Sequence, residues 1–138
     1  MILTKVESQR SLVERGQGLR CIMRQFENLE IWKDSKDLVL QIYSNLKDNK
    51  DFGFRDQIQR AAVSIMNNIA EGSEYGSDAV FIRYLKISKS SCAEVRSMLY
   101  LCESLDYIAG NELENLKNIT NTLSKKISGL IKYLQSNQ

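Results

Sequence analysis

Histidine and proline are absent from this sequence of 138 residues, and glycine occurs only seven times. Without histidine, the chain has no Glu-x-x-His site of the di-iron bundles, no His-Glu-x-x-His zinc motif, and no catalytic dyad or triad that uses imidazole. A glycine-rich phosphate loop is also missing, because Gly16-Gln17-Gly18 is too short to form one. These absences predict a protein with no enzymatic activity, cofactor or metal site. They also favour helices over many short strands.

The three cysteines, Cys21, Cys92 and Cys102, do not form the pattern of a disulfide framework. Cys92 and Cys102 fall in one predicted helix, where a rise of about 1.5 Å per residue places them roughly 15 Å apart. A disulfide needs Cα atoms within about 7 Å, so this pair is excluded within one chain. We interpret both as small core residues of a protein from a reducing compartment. No stretch approaches the ~20 apolar residues of a membrane span, which predicts a cytoplasmic protein with no membrane partner.

Charge is distributed unevenly along the chain. Residues 1–25 are polar and hold five basic and two acidic residues, a net charge of +3. We predict that they form a leader that is flexible or partly helical, and that residues 26–138 form one domain. That domain carries 14 basic and 15 acidic residues. Its net charge of −1 weakens any argument for nucleic-acid binding that rests on overall charge.

Four segments show the period of amphipathic helices, at about residues 29–47, 54–70, 77–107 and 111–134. Gly72 is expected to follow the second helix as its C′ residue. Ser77 or Asp78 is expected to cap the third helix, and Asn111 with Glu114 to open the fourth as a capping box. Short loops join the segments. The predicted fold is therefore all-α, an antiparallel up-down-up-down four-helix bundle.

Two adjacent rows of side chains are expected to cover the inner face of the third helix. The first row is Phe81, Leu85, Ser88, Cys92, Val95, Leu99 and Cys102. The second is Tyr84, Ile87, Ser91, Met98 and Leu105. The small residues of these rows are expected to let the second and third helices approach closely.

Polar residues interrupt the apolar faces of the second and third helices. Asn68 follows Ile65 by three positions and should point inward, where an amide must find partners or cost roughly 1–3 kcal/mol. Glu94 lies near the same seam, with Arg60 as its candidate partner. One interpretation is a polar network that fixes helix register, and the other is a small ligand site. The network would consist of Arg60, Ser64, Asn68, Glu71 and Glu94.

The run QIQRAAVSIMNNIAEG, residues 57–72, carries a resemblance to a known family. It resembles the signature of a bacterial four-helix-bundle family whose founding members are encoded in intervening sequences of 23S ribosomal RNA genes. The surrounding landmarks match as well, over about residues 26–134: Phe26-x-x-Leu29-x-x-Trp32, Tyr43, Phe81-x-x-Tyr84-Leu85 and Ser90-Ser91-x-x-Glu94. Two positions depart from the family pattern, Gln59, where arginine is common, and Met66, where proline is common.

The resemblance implies a small homo-oligomer, with ring-shaped pentamers described in the family, and a biochemical role that is generally unassigned. A related branch is the accessory variability protein of diversity-generating retroelements. Members of that branch are basic, bind nucleic acid and partner a reverse transcriptase. Because Gln59 replaces an arginine, the second helix of the present chain is less basic than the family pattern.

A loose basic stripe supports binding to RNA or DNA. It comprises Arg83, Lys86, Lys89 and Arg96 on the third helix and Lys125, Lys126 and Lys132 on the fourth. Such a stripe would contact phosphates without sequence preference and with strong salt dependence, although a solvated face is the simpler interpretation. Glu74, Asp78 and Glu103 dilute it.

Aromatic residues supply a motive for self-association if several of them are exposed together. The candidates are Phe54, Tyr75, Phe81, Tyr100, Tyr107 and Tyr133, which could equally lie at the seams of the bundle. The leading hypothesis is a non-enzymatic oligomeric bundle that binds RNA or a ribonucleoprotein. The alternative is a protein-interaction module or an accessory subunit of a reverse transcriptase.

Overall fold

The computed structural model describes residues 25–137. A short 3₁₀ turn, Phe26–Asn28, precedes four α-helices: α1, Glu30–Leu46; α2, Phe52–Glu74; α3, Asp78–Ser104; and α4, Gly110–Ser136. Residues 25–137 contain no strand, so the predicted all-α fold is confirmed. Apart from Gln25, the predicted leader lies outside the described residues.

Contacts between α4 and α1 fix the relative direction of these helices. Asn115 donates a hydrogen bond to the side-chain oxygen of Gln41 at 3.0 Å. Eleven residues later in α4, Lys126 bonds to Glu30, which lies eleven residues earlier in α1. The two helices are therefore antiparallel. Each helix also packs against the next one in chain order, through connections of five, three and five residues. The predicted up-down-up-down bundle is confirmed.

The core is built from apolar side chains of all four helices. The largest fully buried ones are Leu38, Ile42, Leu46, Ile58, Ile65, Ile69, Leu85, Val95, Leu99, Leu116, Leu123 and Ile127. The first predicted row of α3 is buried throughout. The second row is divided, because Ser91 and Met98 are buried whereas Ile87 and Leu105 are exposed. This row lies at the edge of the buried face, so only part of it reaches the core.

The predicted C′ role of Gly72 was wrong. Helix α2 continues to Glu74, and the positive φ that such a role needs occurs instead at Gly76, with φ of 86°. Gly72 is buried, and a Cβ atom added to it would lie 2.6 Å from Cβ of Tyr84. Glycine is required here because the backbone of α2 approaches the side chains of α3 closely.

Of the two predicted helix N-caps, that of α3 is confirmed and that of α4 was wrong. Ser77 caps α3, as predicted, since its hydroxyl accepts a hydrogen bond from the backbone N–H of Val80 at 3.1 Å. The predicted capping box of α4 was wrong. This helix begins at Gly110, one residue before Asn111, and no side chain caps it. Glu114 lies instead 3.6 Å from the Lys117 ammonium, on the next turn of the helix.

Asp51 and Tyr107 join two connections at one end of the bundle. The Asp51 carboxylate caps α2 by accepting a hydrogen bond from the backbone N–H of Phe54 at 3.2 Å. The Tyr107 hydroxyl donates to the same carboxylate at 2.6 Å, and its ring meets that of Phe54 edge-on, with centroids 5.2 Å apart. The hydrogen bond from Tyr107 lowers the pKa of Asp51, and the hydrogen bond to Asp51 raises the pKa of Tyr107.

Candidate functional site

The seam between α2 and α3 contains a small hydrogen-bonded network. The hydroxyl oxygens of Ser64 and Ser91 lie 2.9 Å apart. The Asn68 amide donates to the carbonyl and the hydroxyl oxygens of Ser64, at 2.8 and 3.1 Å. Asn68 is half-buried, so its amide meets these partners at the edge of the core. The network links successive turns of α2 to α3 and thereby fixes their register.

The other predicted members of this network lie apart from it. Arg60, Glu71 and Glu94 are all exposed. Within residues 25–137 no ion pair joins Arg60 to Glu94, in contrast to the expected pairing. The predicted network also lacked Ser91, which contacts Ser64, and Ser88, whose hydroxyl donates to the backbone carbonyl of Ile65 at 2.9 Å. In the sequence, Ser88 is recognisable only as a small polar residue in the middle of an otherwise apolar row of α3.

Exposed cations line the outer side of α3 and α4. Arg83, Lys86, Lys89 and Arg96 on α3 and Lys125 and Lys132 on α4 are all exposed. We call these six residues the basic face. The two helices that carry the basic face are joined by a hydrogen bond of 3.4 Å, which the Arg96 guanidinium of α3 donates to the side-chain oxygen of Asn121 in α4. Because the helices are antiparallel, the α3 turns before Arg96 lie beside the α4 turns after Asn121.

Carboxylates are absent from the segments that carry most of the basic face. Residues 79–93 of α3 and 115–137 of α4 contain no aspartate or glutamate. Residues 26–74, which form α1 and α2, hold six basic and nine acidic residues, a net charge of −3. Residues 75–137 hold eight basic and six acidic ones, a net charge of +2. The net charge of −1 of the whole domain therefore conceals a separation of charge between its two helix pairs.

Lys126, which the sequence analysis placed among the candidate nucleic-acid contacts, is paired with carboxylates of α1. Its ammonium donates to Asp34 of α1 at 2.8 Å and to Glu30 at 2.7 Å. Both hydrogen bonds raise the pKa of Lys126, and the one to Asp34 has the larger effect. Lys126 thus faces α1, where two carboxylates neutralise its charge, whereas its neighbour Lys125 is exposed.

Glu103 dilutes the basic face less than the sequence indicated. Its carboxylate accepts a hydrogen bond from Lys117, a lysine whose side chain is nearly buried, and this bond raises the pKa of Lys117. The Lys117 ammonium also lies 4.4 Å from the centroid of the Tyr100 ring. The charge of Glu103 is consequently paired with Lys117 across the α3–α4 seam, although its side chain is still exposed.

The two thiols of α3 lie in the core of the bundle. Cys92 and Cys102 are free and buried. Burial raises the pKa of Cys92 to about 12 and that of Cys102 to about 11. Among the described residues no group of histidine, cysteine, aspartate or glutamate side chains is placed to hold a metal ion. In the same part of the chain, every helix is too short or too polar to cross a membrane.

The six aromatic residues proposed for self-association differ in their burial. Phe54 and Phe81 belong to the core, and Tyr107 is half-buried. The remaining three are exposed: Tyr75, Tyr100 and Tyr133. A clearer apolar surface lies on α3, where Ile87, Leu101 and Leu105 are each more than 40% exposed, at 44%, 48% and 43%. Leu101 and Leu105, four residues apart at the end of α3, are neighbours, whereas Ile87 lies fourteen residues before Leu101, about 21 Å along the helix, with the exposed Glu94 between them.

Comparisons with known proteins agree with this architecture. A model of the family described as 23S rRNA-intervening sequence protein matches residues 27–129. A crystal structure from Bacteroides thetaiotaomicron, described as a protein of unknown function from the S23 ribosomal protein family, matches with a TM-score of 0.69 and 28% identity. The match covers 74% of the present chain and 98% of that chain. No curated protein matches the sequence, and neither match names a reaction.

Proposed function

Because the chain belongs to the 23S rRNA-intervening sequence protein family, we propose that it is a non-enzymatic, cytoplasmic bundle protein that binds RNA through the basic face. The observation that carries the proposal is the absence of carboxylates from residues 79–93 and 115–137, which lie side by side. Phosphates approaching this surface meet six exposed cations. Five of these cations lie within the carboxylate-free segments, and only Arg96 has a carboxylate nearby in sequence, that of Glu94.

The arrangement favours contact with the RNA backbone over contact with bases. Lys86 and Lys89 stand one turn apart on α3, and Lys125 and Lys132 two turns apart on α4. Lysine is a flexible point charge that pairs with phosphate without reading sequence. We therefore expect weak binding to single-stranded RNA, with a dependence on salt that reflects the number of phosphates neutralised. If all six cations act, the slope of log K against log salt is about −4.

Fluorescence anisotropy with a labelled single-stranded RNA tests this proposal. The triple variant Lys86→Gln/Lys89→Gln/Lys125→Gln should reduce the salt slope by about 2, because three phosphate contacts are lost. The matched control is Lys33→Gln/Lys47→Gln/Lys50→Gln, which removes the same charge from exposed positions of α1 and the loop that follows it. Equal effects of the two triple variants, or binding that ignores salt, would contradict the proposal.

A second proposal is homo-oligomerisation through α3, and it is favoured by the exposed apolar stripe that Leu101 and Leu105 form at the end of this helix. Burying these side chains against a second copy would remove apolar surface from water, and a ring such as a pentamer is one arrangement. The same stripe would serve the alternative role of a protein-interaction module, including an accessory subunit of a reverse transcriptase. In this case the apolar surface would be covered by the partner.

Light scattering during size exclusion separates these possibilities. If the stripe joins copies, Leu101→Glu should reduce the mass to that of a monomer, whereas Leu40→Glu, at an exposed position of α1, should leave it unchanged. A wild-type chain that elutes as a monomer contradicts homo-oligomerisation and favours the interaction module. Equal dissociation by both variants would place the interface elsewhere.

A further inference from the structure

A concave site lies where the end of α2 meets the start of α3 and the 3₁₀ turn. It has a volume of about 750 Å³ and is lined by Phe26, Ala70, Glu71, Glu74, Tyr75 and Tyr84. This volume lies within the range of small-ligand pockets, about 300–1,000 Å³. Three of its lining residues are aromatic and two are acidic. None of those within the described chain is basic. We call it the aromatic–acidic pocket.

The aromatic walls of this pocket are held in place by the fold. The Tyr75 and Tyr84 rings stack with centroids 5.7 Å apart and planes inclined by 27°. Tyr84 is positioned against Gly72, whose missing side chain makes room for it. On the opposite wall, the Phe26 ring packs against Trp32 with centroids 5.0 Å apart. Tyr75 is nonetheless 64% exposed, so its outer side is available to a ligand.

The electrostatics of the pocket select for positive charge. Glu71 and Glu74 stand one turn apart on α2, and both are exposed. Within residues 25–137 neither carboxylate forms an ion pair. The faces of the tyrosine rings carry partial negative charge as well, which attracts cations. The carboxylates and the ring faces therefore both favour a cationic ligand.

We propose that the aromatic–acidic pocket receives an arginine side chain of a partner polypeptide. A planar guanidinium stacks on an aromatic ring while its N–H groups bond to carboxylate oxygens in a fork, and a lysine ammonium combines these contacts less well. This site is separate from the basic face, since its acidic side chains belong to α2 whereas the basic face belongs to α3 and α4. The two surfaces attract groups of opposite charge, so they bind different partners.

NMR titration of the full-length, ¹⁵N-labelled protein tests this proposal with defined probes. The probe is acetyl-Gly-Arg-Gly-amide, and the matched control peptide carries citrulline, which has the shape of arginine without its charge. The arginine peptide should shift the amide signals of residues 70–75 and of Tyr84. The citrulline peptide should bind about tenfold more weakly, the factor expected for loss of one cation–π and charge-assisted contact. Equal affinity of the two peptides overturns the proposal.

Substitutions assign the binding to the pocket. Glu71→Gln/Glu74→Gln should weaken the arginine peptide about tenfold, while Asp48→Asn/Glu112→Gln, which removes the same charge from exposed positions elsewhere, should leave its affinity unchanged. Tyr75→Leu should also weaken it, unlike Tyr133→Leu. Equal weakening by the control variants contradicts the assignment. Because these positions lie outside the basic face, RNA affinity measured in parallel tests the two proposals separately.

One further variant identifies the source of the arginine. The chain itself carries Arg20 and Arg24 shortly before Phe26. If a partner polypeptide supplies the side chain, Arg20→Gln/Arg24→Gln leaves the affinity for the arginine peptide unchanged. Tighter binding by this variant would show that the chain's own arginines compete for the pocket and would overturn the proposal of a separate partner.

Discussion

Ser88 of α3 donates a hydrogen bond of 2.9 Å to the backbone carbonyl oxygen of Ile65 in α2, and Ser88 is completely buried. A serine at this position keeps the two helices close, because a larger side chain would separate them. Its hydroxyl also finds a partner in the core instead of remaining unsatisfied. The α2–α3 interface therefore contains small polar residues that are hydrogen-bonded within its apolar surroundings.

Replacing Ser88 with alanine should destabilise the protein moderately. The substitution removes a buried hydrogen bond and leaves a cavity smaller than a water molecule, so we expect a loss of about 1 kcal/mol in the free energy of unfolding. Ser90→Ala is the control, because Ser90 is exposed and bonds only to the Lys86 carbonyl of its own helix. Urea denaturation of both variants measures the difference. Equal stability of the two would contradict a structural role for the bond.

Gly72→Ala should destabilise the protein even though alanine favours helices. The added methyl group would stand 2.6 Å from Cβ of Tyr84, and both atoms belong to packed helices. Overpacking of this kind costs about 1–3 kcal/mol, more than the roughly 1 kcal/mol that alanine gains over glycine within a helix. Gly129→Ala is the matched substitution in α4, where nothing lies within 4 Å of the added atom, and it should stabilise. Thermal unfolding should shift in opposite directions for the two variants.

The adjacent residues Lys125 and Lys126 should contribute differently to RNA binding. Lys125→Gln removes an exposed cation of the basic face and should lower the salt slope of RNA binding by about 0.7. Lys126→Gln should leave that slope unchanged, because Lys126 is bonded to Glu30 and Asp34. Anisotropy titrations at several salt concentrations measure both slopes. Indistinguishable effects of the two substitutions would show that the ion pairs of Lys126 do not withhold it from RNA.

Tyr107→Phe should flatten the pH dependence of stability at both extremes. The pKa of Asp51 is lowered from 3.8 in the folded state, so its contribution is present above that value and lost as the pH falls below it. The pKa of Tyr107 is raised from 10.0, so its contribution is present below that value and lost as the pH rises above it. Removing the hydroxyl eliminates the dependence that comes from Tyr107 and reduces the one that comes from Asp51, whose carboxylate still accepts the hydrogen bond from the backbone N–H of Phe54. Thermal melts between pH 3 and 11 measure this effect, since the range extends about one pH unit beyond each ordinary pKa. The melting temperature of the variant should fall less at both ends of the range than that of the wild type.

Cys92 and Cys102 should resist thiol reagents in the folded protein. Both are buried, and burial raises the pKa of each far above neutrality, to about 12 and about 11, so little thiolate is present. A Cys21→Ser variant isolates these two thiols. We expect no reaction with a chromogenic disulfide until denaturant is added, and then two equivalents. Rapid labelling under native conditions would show that α3 opens far more often than its packing indicates.

Helical periodicity predicted the bundle because each helix has a dominant apolar face, as the buried row from Phe81 to Cys102 illustrates. It predicted helix ends less well. A glycine after an apolar run is typical of a C′ residue, which is why Gly72 was predicted to end α2. The glycine is needed instead because Tyr84 of α3 packs against it, and the sequence around Gly72 does not reveal this contact. The same applies to Asn111, whose predicted cap is displaced because the chain turns one residue earlier at Gly110, with φ of 63°.

The candidate sites were only partly predictable for a related reason. Counting charges over the whole domain gave a value near zero, and only the arrangement of the helices shows that the carboxylate-free segments of α3 and α4 lie side by side. Periodicity also cannot distinguish Lys125 from Lys126, since the difference depends on which neighbouring helix each one faces. The aromatic–acidic pocket joins residues 26, 70–75 and 84, which come from three elements. A pattern within any single segment does not reveal it.

Within residues 26–137, the separation of charge between the two helix pairs produces a permanent electric dipole, although the net charge of this part of the chain is only −1. A polyanion would orient such a molecule before contact, since the field acts on the dipole at distances comparable to the Debye length, about 8–10 Å at ordinary salt. The protein would thus arrive with α3 and α4 foremost and with the acidic helices α1 and α2 turned outward. Successive copies bound in this orientation would each turn the net negative charge of α1 and α2 away from the strand.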